Sequence, residues 1–162
     1  MSGLDRFRHA QDARHVGFAV ALRELHAGRK TTHWIWYVFP QLAGLGRSTT
    51  AAHYGLGGVE EAAEYLRDPV LGARLIEAAA AVRGHLAGGT RVRIVEVMGS
   101  EIDAMKLVSS MTLFAHVAKT LHAADPTPKL AVMAEHAEAI LAAAAVQGHA
   151  RCTFTLEHLR AG

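Results

Sequence analysis

A chain of 162 residues, 51% of them hydrophobic, has the length of one domain and enough apolar mass to bury a core without metal or disulfide support. Its 17 basic and 15 acidic residues are scattered, so the net charge of +2 hides no basic stripe or arm of the kind nucleic-acid binders carry. Cys152 stands alone and excludes an internal disulfide, no run reaches the ~18 apolar residues that cross a bilayer, and the start of the chain is charged where a signal peptide is apolar. The expectation is a cytoplasmic protein that binds neither nucleic acid nor membrane.

β-branched residues seldom alternate with polar ones, and the prolines fall outside the helical patterns, so the expected class is all-α. A single multihelical domain over residues 1–162, of about six to nine helices, accommodates the patterns in order. Leu4, Phe7 and Ala10 are spaced by three and predict a short docked N-terminal turn. Residues 12–27 then predict the first full helix, with Phe18, Ala21, Leu22 and Leu25 on one face and Gly28 ending it. Thr31 or Thr32 is placed to cap a short helix through His33–Val38, which Pro40 stops. After the turn at Gly44-Leu45-Gly46, Ser48 is expected to cap a helix ending at Gly57-Gly58, and a further helix spans Glu60–Leu66.

Asp68 as cap with Pro69 in the first position is the strongest start signal in the chain, and Leu71, Leu75, Ala78, Val82 and Leu86 follow at helical spacing up to Gly88-Gly89. Thr90–Val97 has strand-forming residues but is flanked by helix signals, and a short helix is expected there. Ser100, with Glu101 and Asp103 behind it, caps a long helix over about 101–121. The break at Asp125-Pro126-Thr127-Pro128 precedes a last long helix over Lys129–Val146, and Thr153–Leu159 adds one more turn.

Chemistry concentrates in two stretches. Residues 33–41 hold both tryptophans, Tyr37 and Phe39 in a chain otherwise poor in aromatics. They cannot all face one side of a short helix. Either they are core, or Trp34, Trp36 and Tyr37 join His33 and Gln41 in an apolar pocket with a few fixed polar groups, the usual form of a small-molecule site. The adjoining Gly44-Leu45-Gly46-Arg47-Ser48 turn offers backbone N–H groups and an arginine to an anion, but it follows no strand and lacks the full Walker spacing. Ordinary turn glycines and a capping Ser48 are the favoured account of it.

In the second stretch, Asp103, Lys106 and Ser110 share one side of the long helix, and Ser109 lies among apolar residues. A buried hydroxyl or ammonium costs free energy unless paired, so these groups are either internally bonded or part of a site. Lys106, His33, Asp103 and Ser110 are the candidates for catalysis, with a Ser110–Lys106 nucleophile and base as one arrangement. The ligand-binding candidates are His33, Trp34, Trp36, Tyr37, Gln41, Arg47, Ser48, Lys106, Ser109 and Ser110. The eleven histidines include no helical pair at metal-binding spacing, and no metal site is expected.

The motifs His33-Trp34-x-Trp36-x-x-Phe39-Pro40-Gln41, Gly44-Leu45-Gly46-x-Ser48, Tyr65-Leu66-x-x-Pro69-x-Leu71-Gly72-x-Arg74-Leu75 and Lys106-x-x-Ser109-Ser110-Met111-Thr112-Leu113-Phe114 run through most of the chain. In these the sequence resembles a family of small bacterial proteins of unknown function, typified by a conserved hypothetical mycobacterial protein, some of which carry the mistaken label calpastatin. The resemblance implies a mainly helical domain and no established activity. It also implies two departures: an altered turn at Val97–Asp103, and Cys152 where relatives tend to have an aspartate, which leaves a carboxylate role to Asp103, Glu60 or Glu61. A fainter similarity points to helical enzymes that cleave N-glycosidic bonds in ADP-ribose-type or nucleotide-derived substrates. Three readings follow: a small-molecule-binding domain, such a hydrolase, or a non-enzymatic interaction protein whose polar and aromatic residues are structural.

Overall fold

The start signals dictate where the long helices begin. The Asp68 carboxylate accepts the N–H groups of Val70 and Leu71 at 3.0 and 2.9 Å and opens a helix with Pro69 in its first turn. The Ser100 hydroxyl accepts the Asp103 N–H at 3.1 Å, and the Thr127 hydroxyl accepts that of Leu130. In the computed structural model, which describes residues 3–87 and 92–161, ten helices follow in chain order. They are α1 (Asp5–Gln11), α2 (Phe18–His26), α3 (Ile35–Val38), α4 (Thr49–Tyr54), α5 (Val59–Arg67), α6 (Pro69–Leu86), α7 (Ile94–Met98), α8 (Glu101–Ala124), α9 (Pro128–Val146) and α10 (Thr153–Ala161). The fold is all-α, as the sequence predicts, but ten helices exceed the expected six to nine. The surplus is at the ends, where the two expected turns are the seven-residue α1 and the nine-residue α10.

Helix α8 is the axis of the molecule. Joined to α9 by three residues, it packs against that helix as a hairpin, and small buried side chains at Ala104, Ala115, Ala118, Ala137 and Ala144 suit their close approach. Helices α5, α7 and α10 also pack on α8, while α6 bridges α9, α5 and α2. Three fully buried aromatics gather where α1, α5 and α8 meet: Phe7 lies edge-on to Tyr65 at 5.1 Å between centroids, and Tyr65 lies 5.7 Å from Phe114.

Several boundaries differ from the expected ones. Residues 12–17 are not helical, because the chain turns at Gly17 so tightly that a Cβ there would lie 2.2 Å from the Ala13 carbonyl oxygen. Neither Thr31 nor Thr32 caps α3; Trp34 holds that position without a side-chain capping bond, and the Thr32 hydroxyl donates instead to Glu24 at 2.6 Å. Helix α4 stops at Tyr54 rather than at Gly57-Gly58, since an isolated parallel bridge between Leu42 and Leu56 draws the chain away. The expected end at Gly88-Gly89 and the first residues of the Thr90–Val97 segment lie outside the described residues; the helix in that segment is α7. No helix among the described residues is long and apolar enough to cross a membrane.

Candidate functional site

The segment between α2 and α3 is pinned from both sides. From α2, the Glu24 carboxylate accepts the backbone N–H groups of Thr31 and Thr32 at 2.7 and 2.9 Å, the Thr32 hydroxyl at 2.6 Å and the Trp34 Nε1–H at 3.1 Å. Burial pushes the Glu24 carboxyl up, but these donors outweigh it and hold the group at about 2. From α8, the Asp103 carboxylate meets the Lys30 ammonium at 2.6 Å. The Lys30 side chain is 4% exposed, and its ammonium also donates to the Thr32 carbonyl at 2.6 Å. Gly99, with φ +81°, lets the α7–α8 turn press on the same segment, since a Cβ there would lie 2.5 Å from the Lys30 carbonyl oxygen.

This clamp settles which tryptophan faces inward. Trp34 is fully buried and its N–H is bound to Glu24, so it is a packing residue and not a pocket wall. Trp36 is only partly buried, and the Lys106 ammonium lies over its ring, 5.1 Å from the centroid. Its Nε1 is sequestered from solvent and has no acceptor among the described residues. Trp36 lines two hollows: an open one of about 440 Å³ shared with Tyr37, Thr49, Thr50, His53 and Tyr54, and a narrow slot shared with Gln41, Ala51, Tyr54 and Gly55. The Tyr37 and Tyr54 rings lie 5.3 Å apart along the open hollow. The Tyr37 hydroxyl donates to the Val16 carbonyl, and burial pushes its pKa up, so it is a neutral wall at ordinary pH. The far wall, the end of α4, is held by Arg6, which donates to the carbonyls of His53 and Gly55 at 2.9 and 3.1 Å and pairs with Glu61.

The remaining candidates divide. Lys106 sits beside Trp36 and 3.9 Å from Asp103, so the α8 cluster does meet the aromatic segment at that point. His33 is exposed and lines neither Trp36 hollow. Arg47 and Ser48 are also exposed; the Ser48 hydroxyl accepts the Ala51 N–H at 3.0 Å and so builds α4, and Gly44 and Gly46 take φ of +98° and +80° to make the turn. Ser110 is fully buried and its hydroxyl bonds to nothing among the described residues, so no Ser110–Lys106 hydrogen bond forms. Ser109 donates to the Met105 carbonyl at 3.0 Å and faces away, into a second hollow.

Sequence reasoning did not find Thr49, Thr50, His53 and Tyr54 as walls beside Trp36; the adjacent His53-Tyr54 pair, whose rings stack edge-on at 4.6 Å, was the available signal. Nor did it find the second hollow, of about 400 Å³, where Ser109 and Met105 of α8 face His149, Arg151 and Cys152 from the α9–α10 connection. Of the alternative carboxylates, Glu61 is engaged by Arg6 and the Gly57 N–H, which overcome burial and lower its pKa, and Glu60 is exposed. Among the described residues no three or more His, Cys, Asp or Glu side chains gather in a way that would hold a metal ion.

The crystal structure of the conserved hypothetical protein Rv1873 from Mycobacterium tuberculosis is similar to this one, with a TM-score of 0.71 and 35% identity over 95% of this chain and 94% of that one. No curated protein matches the chain. The model of a family described as a protein of unknown function, DUF1810, matches residues 1–136. The chain therefore belongs to the DUF1810 family.

Proposed function

We propose that the protein is a cytoplasmic, single-domain binder of a small molecule with a flat ring, seated against Trp36. The observation that carries this is the state of Trp36. Its indole is partly exposed, borders two adjoining hollows and keeps an N–H without an acceptor among the described residues. A tryptophan needed only for packing would be in the state of Trp34, enclosed and hydrogen-bonded. Tyr54 and His53 add further ring surface, while Thr49, Thr50 and Gln41 supply polar atoms at the edges, a composition suited to a ring with polar substituents. No carboxylate among the described residues lines either hollow, so binding is favoured over N-glycosidic hydrolysis, which needs an acid or electrophile at the reacting centre.

The test uses the two tryptophans as separate reporters. Nucleotides and ADP-ribose are screened by thermal shift, and hits are titrated by intrinsic fluorescence on the wild type and on Trp36→Phe. A hit should quench the wild type and lose both its quench and its thermal shift in Trp36→Phe, with Trp34 still emitting from the core. A shift retained in the variant would move the site elsewhere. If no nucleotide or ADP-ribose binds, the interaction-protein reading replaces this one.

A further inference from the structure

Lys106 stands beside the Trp36 hollows with a charge that the protein only half answers. Its ammonium lies 3.9 Å from Asp103 Oδ1, too far for a hydrogen bond, and it donates to nothing else among the described residues. The other oxygen of that carboxylate is taken at 2.6 Å by Lys30, whose side chain is 4% exposed and has little access to water. One carboxylate therefore faces two ammonium groups, and no other carboxylate among the described residues forms an ion pair with either. The Lys106 side chain keeps 21% exposure, which leaves it open to a partner from outside.

Trp36 brings that charge to the ligand site. The ammonium is 5.1 Å from the centroid of the indole, and the same indole borders both hollows. The flexible four-carbon stem of a lysine lets its head follow a substituent that projects from a stacked ring. The indole Nε1–H, closed off from solvent, has no acceptor among the described residues. An indole N–H and an ammonium can only donate, so this corner lacks an acceptor. A water molecule would serve the indole but not the charge; an oxyanion serves both. The walls suit one, since Thr49, Thr50, His53 and Gln41 supply polar groups and no Asp or Glu among the described residues lines either hollow. The slot beside Gln41, of about 10 Å³, has room for one oxygen-sized group and none for a ring. The ring then belongs in the open hollow, with its polar substituent at the edge.

We infer that the ring bound at Trp36 carries an oxyanion, a carboxylate or a phosphate, and that Lys106 selects it. This rests on the reading of Trp36 as a ring-binding residue and adds the charge of the ligand. Asp103 serves the selection indirectly: by neutralising Lys30 it leaves Lys106 as the cation without a close counter-ion.

The full-length protein is titrated, by quenching of its tryptophan fluorescence, with two matched pairs of rings: nicotinamide against nicotinate, and adenosine against AMP. The first pair differs by a carboxylate and the second by a phosphate, so the pair that discriminates names the oxyanion. In at least one pair the anionic member should bind about 10-fold tighter or more, the margin that one hydrogen bond to a charged group gives. Added salt should shrink that margin. Lys106→Met keeps the length of the side chain and should bring the anionic member down to the affinity of the neutral one, whereas Lys119→Met, which removes a charge farther along α8, should preserve the margin. Neutral and anionic members that bind the wild type alike overturn the inference and leave the ring site standing; this comparison needs no variant. A margin that survives in Lys106→Met overturns it too. If none of the four quenches, the ring reading fails and this one with it.

Discussion

Replacing Glu24 by alanine removes the acceptor for four donors at once, those of Thr31 N, Thr32 N, Thr32 Oγ1 and Trp34 Nε1. Their consequences differ with exposure. Thr31 is exposed and Thr32 partly so, and water can take over most of what they lose. The indole N–H belongs to a fully buried residue, and leaving it unmatched costs about 1–3 kcal/mol. Adding roughly 1 kcal/mol for the charge-assisted bonds to the threonines gives a loss of about 2–4 kcal/mol. For a chain of 162 residues this is a fall of about 4–16 °C in Tm.

The measurement is urea unfolding of wild type and Glu24→Ala at pH 7, repeated at descending pH. The Glu24 carboxyl falls from an ordinary 4.5 to about 2 on folding, so the folded state favours the ionised form. Its contribution is fully present above pH 4.5 and is lost as the pH drops through 2. The gap between wild type and variant should therefore be constant near neutrality and narrow below pH 4.5. A variant within about 0.5 kcal/mol of wild type at pH 7 would refute the clamp, because that is the ordinary range for a surface substitution. A gap that does not change with pH would show that packing, not charge, sets the loss.

Asp103→Asn leaves the enclosed Lys30 ammonium without its counter-charge and should cost about 3–5 kcal/mol in denaturant unfolding; adding Lys30→Met should recover part of that loss, and a double variant as unstable as the sum would contradict the pairing. Gly72→Ala places a Cβ 2.2 Å from the Leu66 carbonyl oxygen, forcing α6 away from the end of α5, and should cost about 1–3 kcal/mol; an unchanged melt would mean that this junction yields freely.

Local chemistry made the helix starts legible. Asp68-Pro69, Ser100 and Ser48 act within three residues of themselves, and each begins its helix where the sequence indicates. Boundaries set from a distance were hidden. Thr32 reads as a cap until Glu24, in the preceding helix, claims its hydroxyl, and residues 12–17 carry a helical pattern that the sharp backbone at Gly17 overrides. The same limit governs the tryptophans. Trp34 and Trp36 are two apart and chemically alike; their fates are decided by Glu24 and Lys106, 10 residues before one and 70 after the other. The α8 pattern was ambiguous in the opposite sense, for Ile102 and Met105 suggest core yet are 66% and 58% exposed, while Ser109, Ser110 and Thr112 are buried. Hydroxyls that return to the carbonyl four residues back, as in Ser109 and Thr112, make such burial affordable, whereas Ser110 lacks that relief.

The amide of Gln11, at the end of the first helix, donates to the Tyr37 carbonyl and to the Tyr65 hydroxyl and accepts from Arg74, across 26, 54 and 63 residues of chain. On a ribosome adding 5–20 residues per second, the last of these partners is made about 3–13 seconds after Gln11 itself. Helix α1 thus has its buried amide incompletely matched until the start of α6 has been made. Until then its amide lacks its last partner, and removing Gln11 would leave the buried Tyr37 carbonyl and Tyr65 hydroxyl with only their long mutual contact of 3.5 Å.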